Sequence, residues 1–301
     1  MRQIIILIGL IIMLSGCSYS KASINFNANY EKNMKQDILS LMLAYDEIID
    51  IERDDKNKVY LVFKSGNKLI YDDKKIKNYN EKLVDPDLED TMYLIYPLYD
   101  IVELMTENND PGRIRSYKLL NEIYGESENS INRNLKGVNP QGNWCMFTTK
   151  NNAHKYLISA LNEIKINNNK KSIDLISPIN GTYCYRKISG TDRLSPHAFG
   201  IAIDVKKNSK DYWKWATREE GSKRLKEFPK DVVKAFENNY FIWGGKWAHF
   251  DILHFEYRPE LIIKAKNFYS ENEKTGQWYE GVVSDDKNVV RLIRLIDEKL
   301  N

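Results

Sequence analysis

Histidine is scarce in this chain of 301 residues, and its distribution constrains the fold more than any other feature. The histidines are His154, His197, His249 and His254. Two of them form the pairs with aspartate that matter here, since Asp204 follows His197 and Asp251 precedes His254, whereas His249 lies beside Asp251 without matching a motif position. If these side chains act together, the fold must bring the two segments to one place.

Two imidazoles and a carboxylate form a ligand set that suits zinc. A catalytic zinc site uses three protein ligands and leaves one position for water. His197, Asp204 and His254 offer such a set, and imidazole and carboxylate avoid the oxidation that threatens thiolates outside the cytoplasm. The small residues Gly200 and Ala202 allow close packing around a metal. Residues 201–205 predict a strand that presents Asp204 at its end.

Asp251 is the candidate general base. It lies three residues before His254, and residues three apart face opposite ways in a flat strand but share a face in a turn. If the backbone turns here, Asp251 can reach the water on the metal and accept its proton. A single histidine is more often a hydrogen-bonded structural residue. The combination of two histidines and two aspartates favours a catalytic site instead.

Both segments resemble the metal motifs of the D-alanyl-D-alanine carboxypeptidase family, which includes the vancomycin-resistance D,D-peptidases. The first motif covers residues 186–204, where Ser-x-His is followed by Gly-x-Ala-x-Asp. The second runs from Trp-Gly-Gly-Lys-Trp at 243–247 to His-Phe-Glu-Tyr-Arg-Pro at 254–259. The segment Asp-Pro-Gly-Arg-Ile-Arg at 110–115 is similar to one upstream of the peptidase part in exported members.

This resemblance implies an α+β fold, a small zinc-peptidase core with an antiparallel sheet and flanking helices, preceded by a smaller α+β region. It implies that His197, Asp204 and His254 bind Zn²⁺, that Asp251 is the acid/base, and that Arg186 binds the substrate and stabilises the oxyanion. The expected substrates are peptidoglycan stem peptides, cut by a D-alanyl-D-alanine carboxypeptidase. Many D,D-dipeptidases have Glu where this chain has Asp251. Asp is similar to phage endolysins that cut between L-Ala and D-Glu, so that endopeptidase activity is the alternative.

Two further hypotheses remain open from the sequence. The chain could be a non-catalytic lipoprotein that binds peptidoglycan, or it could hold a structural zinc with Cys184 or His249 as fourth ligand. Ser195 lacks the Gly-x-Ser-x-Gly pattern of a nucleophile, so we predict that it hydrogen-bonds near the metal or substrate. We expect His249 at the surface or behind the ligands, Glu256 in a structural pairing, and His154 on the solvent side of a helix.

The N-terminus has the pattern of a bacterial lipoprotein signal. Arg2 is followed by an apolar run over 4–14, and Leu-Ser-Gly precedes Cys17. We therefore predict a signal peptide over residues 1–16, a lipid on Cys17 and a tether over 17–29. The predicted location is the cell envelope, anchored to a membrane and facing outside the cytoplasm. The net charge of +3 is spread without a basic block, which argues against nucleic-acid binding.

The remaining chain divides into an N-terminal α+β region over 30–135, a catalytic domain over 136–270 and a tail over 271–301. Apolar residues predict helices over 30–49, 116–124, 231–238 and 289–300, and a further helix over 91–106 that Pro97 interrupts. A hairpin is predicted from residues 59–63 and 68–71, joined through a turn with Gly66. Export and the even count of the remaining cysteines predict a disulfide between Cys145 and Cys184.

Overall fold

Short antiparallel sheets alternate with helices along the chain, which confirms the predicted α+β class. The computed structural model describes residues 16–139, 142, 144–268, 276–282 and 285–301. Most of the predicted signal peptide, residues 1–15, lies outside the described residues. None of the described helices combines the length and the apolar character needed to cross a bilayer.

The α-helices in the described part of the chain are α1 (Gly16–Ala44), α2 (Tyr79–Val84), α3 (Leu88–Met92), α4 (Tyr117–Tyr124), α5 (Glu128–Asn132), α6 (Ala153–Ile166), α7 (Lys170–Leu175), α8 (Arg218–Glu227), α9 (Lys230–Asn238), α10 (Pro259–Phe268) and α11 (Lys287–Leu300). The strands are β1 (Ile48–Arg53), β2 (Val59–Phe63), β3 (Lys68–Ile70), β4 (Leu135–Val138), β5 (Cys145–Thr148), β6 (Ala202–Asp204), β7 (Phe241–Trp243) and β8 (His254–Tyr257). They form three sheets, ordered β1-β2-β3, β4-β5 and β6-β8-β7.

Helix α1 is the predicted amphipathic helix, but it ends earlier and begins sooner than expected. Its buried stripe includes Met34, Ile38 and Leu41, spaced three and four residues apart. It ends at Ala44, because residues 48–53 pair with β2 as an antiparallel strand. The backbone is helical from Gly16, so the segment predicted as a tether is helical too. Its tethering role stays a prediction.

The predicted hairpin is confirmed as β2 and β3, with Gly66 in the left-handed region at φ 88°. The helix predicted over 91–106 is wrong. Asp87 caps α3 in a reciprocal capping box with Asp90, and this helix ends at Met92. Turns and irregular backbone follow, and Pro97 would interrupt any longer helix here, since it lacks the N–H that a continuing helix needs.

The three predicted regions share buried apolar side chains in one core. This core extends from Met34 in α1 to Leu300 in α11. Ion pairs also cross it, as Lys264 of α10 contacts the buried Asp37 carboxylate of α1 at 2.5 Å. The predicted boundaries after residues 135 and 270 stay predictions, but α1, α10 and α11 pack as neighbours.

The predicted disulfide is wrong, because Cys145 and Cys184 are not bonded to each other. Cys145 is buried on β5, where it pairs with Val138, whereas Cys184 is exposed in the loop before the first metal motif. The prediction for His154 is wrong as well. It is buried in the first turn of α6, because this helix packs against β5 as well as α9.

Candidate active site

Two neighbouring strands bring the two halves of the site together. In the antiparallel pair β6–β8, Asp204 lies directly opposite His254. Side chains of directly opposite residues lie on the same face of a sheet. The predicted strand at 201–205 is therefore confirmed as β6, and it presents Asp204 at its end.

His197 reaches the same place from a 3₁₀ turn, Pro196–Phe199. Ser195 precedes this turn and caps it, with its Oγ 3.4 Å from the His197 amide nitrogen. Gly200 ends the turn at φ 66°, and a Cβ there would lie 2.5 Å from a methyl carbon of Leu135. The turn thus needs glycine for both its backbone angle and its packing.

One potential ligand atom each of His197, Asp204 and His254 lies within 4.8 Å of the other two. Asp204 Oδ1 is 3.2 Å from His197 Nε2 and 2.9 Å from His254 Nδ1. The other nitrogen of His197 is 2.5 Å from the Thr182 carbonyl oxygen. The second nitrogen of His254, Nε2, lies 3.6 Å from Glu256 Oε2. In both histidines the second ring nitrogen therefore faces away from the cluster. This is the outer support expected of zinc-binding histidines.

The charges around the cluster also suit a cation. Burial alone would disfavour the charged form of His254, but Asp204 and Glu256 raise the pKa of its imidazole to about 10. Burial opposes the ionisation of Asp204, yet hydrogen bonds from His197 and His254 hold its pKa below the usual range. The donor set and its surroundings therefore fit zinc. Neither Cys184 nor His249 belongs to the cluster, so the structural-zinc hypothesis lacks its fourth ligand.

Glu256 is fully buried behind His254 and belongs to an ion-pair network that the sequence did not reveal. Arg115 donates to both of its carboxylate oxygens, with Nε at 2.8 and 3.0 Å and Nη2 at 2.6 Å. Burial would raise the pKa of Glu256, but Arg115 and His254 hold it well below the usual range. The predicted structural pairing of Glu256 is confirmed, and its partner comes from the segment before α4.

Asp251 lies in a turn that leads into β8, as the catalytic hypothesis required. The His254 amide donates to the Asp251 carbonyl oxygen at 3.0 Å, so the backbone turns between them. Gly244 fits closely underneath, since a Cβ there would lie 2.5 Å from that same carbonyl oxygen. Asp251 is not a member of the ligand cluster, but it lines the same cleft. Burial raises the pKa of its carboxyl to about 6.

The cluster opens into a cleft of about 350 Å³. Arg186 and Ser195 line it, and their contact with a substrate stays a prediction. Arg186 is exposed, and its carbonyl oxygen accepts a hydrogen bond from the Ser195 amide at 2.9 Å. Further side chains along the cleft are aromatic, namely Tyr212, Trp213, Trp215 and Trp247.

His249 also lines the cleft, and it is held by an aspartate from the N-terminal region. Its Nδ1 and its amide nitrogen lie 2.6 and 2.8 Å from the two carboxylate oxygens of the buried Asp110. Its ring stacks on Tyr79 with centroids 5.6 Å apart. Sequence reasoning missed this pairing, because neither Asp110 nor Tyr79 lies near His249 in the chain.

No curated protein and no solved structure matched the chain. One family model did match, over residues 189–257, and this segment contains His197, Asp204, Asp251 and His254. Arg186 and the N-terminal arginines lie outside the matched residues. The match supports a peptidase. Through residues 189–257, the chain is similar to the D-alanyl-D-alanine carboxypeptidase family.

Proposed function

We propose that this protein is a zinc-dependent hydrolase of peptidoglycan stem peptides and that it acts as a D-alanyl-D-alanine carboxypeptidase. The observation that carries the proposal is the cluster of His197, Asp204 and His254 at an open cleft. The family similarity over the same segment supports a peptidase rather than a purely structural metal site.

The proposed mechanism divides the work among the residues of the cleft. His197, Asp204 and His254 hold zinc, which when bound polarises the peptide carbonyl and strengthens water as a nucleophile. Asp251 accepts a proton from the attacking water and passes it to the departing amine. A carboxyl with a pKa near 6 suits this task, since it can take up and release a proton close to neutral pH.

Two further residues contact the substrate in this proposal. Arg186 donates to the carbonyl oxygen as negative charge develops there, a role open to a guanidinium at the edge of the cleft. Ser195 already accepts from the His197 amide through its Oγ, and its own hydroxyl proton remains to donate to the peptide. Both residues lie next to the turn that carries His197.

Mass spectrometry of muropeptides with pentapeptide stems tests the function directly. We expect the purified protein to release free D-Ala and to lose this activity when a chelator removes the metal. Asp251 favours the second candidate, because endolysins that cut between L-Ala and D-Glu also use aspartate there. Cleavage of the stem at that bond, without free D-Ala, would support the endopeptidase. Unchanged muropeptides would contradict both and leave a binding protein.

We also propose that a lipid on Cys17 anchors the protein to a membrane of the cell envelope, outside the cytoplasm. The support is the sequence pattern of the first seventeen residues. Several acyl chains on one residue anchor firmly, since each buried methylene contributes about 0.8 kcal/mol. The mass of the mature N-terminal peptide measures this modification, and an unmodified Cys17 would contradict it.

A further inference from the structure

Besides Arg186, three arginines line the cleft outside the ligand cluster, and two of them come from the segment before α4. They are Arg113, Arg115 and Arg193, and we call them the arginine wall. Hydrogen bonds hold them in position. Arg115 Nη1 donates to the Arg113 carbonyl oxygen at 2.9 Å, and Arg193 Nη1 donates to the Leu83 carbonyl oxygen at 2.9 Å.

Within the arginine wall, Arg115 is neutralised by a close ion pair with Glu256, at 2.6 Å. Arg113 lies 3.8 Å from Asp110, but that carboxylate already accepts from His249 and Tyr79. Arg193 has no carboxylate within 4 Å in the part of the chain that the structure describes. A guanidinium carries five N–H donors, so both Arg113 and Arg193 keep donors for a ligand.

Burial and the surplus of positive charge in the arginine wall lower the pKa of one of its members. Arg193 is partly buried, and its burial, together with Arg115 and Arg113, lowers the pKa of its guanidinium. Like charges held together in a partly buried wall destabilise one another. A bound anion would relieve this repulsion, and a guanidinium matches the two oxygens of a carboxylate in shape and charge.

We propose that Arg113 and Arg193 form a carboxylate-binding subsite that holds an acidic group of the substrate beside the ligand cluster. The identity of the substrate rests on the proposed function. A stem peptide offers two sources of this chemistry, the C-terminal carboxylate and the α-carboxylate of its D-Glu residue. In either case, the subsite combines Arg193 of the family-matched segment with Arg113, which lies outside it, to select for an acidic peptide.

The experiment compares three synthetic stem pentapeptides. One carries both carboxylates, one has its D-Glu carboxylate amidated, and one has its C-terminus amidated. They are tested with the wild-type chain and with Arg193→Gln, Arg193→Lys and Arg113→Gln. Lys207→Gln is the matched control, because Lys207 also lines the cleft but lies 4.3 Å from the Trp215 ring centroid, outside the wall. The thermal midpoint of each variant checks that it folds.

We expect Arg193→Gln to lower kcat/KM for the acidic peptide roughly 10- to 100-fold, as for a lost charged hydrogen bond. Arg113→Gln should lower it in the same direction, and Arg193→Lys should lose less than Arg193→Gln. Amidation of the bound carboxylate should cost the wild type a similar factor and add little to the loss in Arg193→Gln. The peptide whose amidation has this effect shows whether the subsite binds the D-Glu carboxylate or the C-terminal carboxylate.

A binding measurement separates this inference from the proposed function. The dissociation constant of each peptide is measured by calorimetry on the full chain, with zinc and after chelator treatment. Binding that depends on Arg193 without any hydrolysis would support the subsite and contradict the function. The subsite is overturned if Arg193→Gln behaves like Lys207→Gln, or if it loses the same factor on all three peptides.

Discussion

The segment 189–257 and the segment 79–115 contribute to the same cleft in different ways. The first carries the ligand cluster and Asp251, and it matches a peptidase family. The second lies outside that match and supplies Asp110, which holds His249, together with Arg113 and Arg115, which line the cleft. The proposed reaction thus depends on a short motif, whereas the support of that motif and, in our proposal, part of the substrate preference depend on residues distant in sequence.

The largest effect should come from Asp251 in the matched segment. We expect Asp251→Asn to keep its zinc and to lower kcat about 10²- to 10⁴-fold, because a general base is lost while the ligands remain. Metal content by elemental analysis and muropeptide turnover are measured on one preparation.

His197→Ala is the matched variant, since it removes a ligand and should lose both metal and activity. Near-normal turnover in Asp251→Asn would move the base elsewhere, with Glu256 or His249 as candidates. Loss of zinc in Asp251→Asn would make Asp251 a ligand. Full zinc content in His197→Ala would contradict the proposed ligand set.

The second segment should affect stability more than chemistry. Arg115→Met leaves the fully buried Glu256 with a weaker set of partners, so we expect it to lower the free energy of unfolding by about 3–5 kcal/mol. Lys118→Met is the control in the same region. Its pair with Asp85 is exposed, with side chains 69% and 63% accessible, so it should cost at most about 1 kcal/mol.

Chemical denaturation measures both variants. Equal small losses in Arg115→Met and Lys118→Met would mean that the buried pair does not stabilise the protein, and the proposed division between the two segments would then fail. A loss of metal in a folded Arg115→Met would instead extend the role of this segment to the orientation of His254.

Local patterns allowed the cluster to be predicted from sequence, since the scarce histidines and their aspartates resemble the metal motifs of a known family and residues 201–205 indicate the strand that carries Asp204. The hairpin of β2 and β3 and helix α4 were predictable for the same reason. The pairing of Arg115 with Glu256 was not, because it joins residues 141 positions apart. A buried glutamate two residues after His254 signals that a cation is needed, but it does not identify which one.

The wrong predictions also have physical reasons. Apolar residues between 91 and 106 have a helix-like composition, but they pack as irregular backbone beyond α3. The disulfide was predicted from the number of cysteines alone. In the fold, Cys145 is a buried strand residue and Cys184 is an exposed loop residue, and the two are not bonded. Packing between segments that are distant in sequence determines both structures, and a local sequence pattern does not reveal this packing.

The smallest predicted effect concerns Glu89 in α3, within the N-terminal region and outside the ligand cluster. Burial raises the pKa of its carboxyl to about 7, with neighbouring Asp90 and Asp87 adding to the shift against the effect of Lys82. In the unfolded chain a glutamate titrates near pKa 4.3. Between these values the folded state holds a proton that the unfolded state has released, so stability falls as the pH rises from about 4 to 7.

Glu89→Gln cannot ionise, and it should therefore be more stable than the wild type at pH 8 by roughly 1–3 kcal/mol, allowing for the partial exposure of this side chain. At pH 4 the two should differ little, and Glu103→Gln at an exposed position should change stability little at either pH. Denaturation at both pH values measures the difference. A Glu89→Gln variant that is less stable at pH 8, with turnover lowered in parallel, would mean that the charge of Glu89 supports the active site, against the division of roles between the two segments.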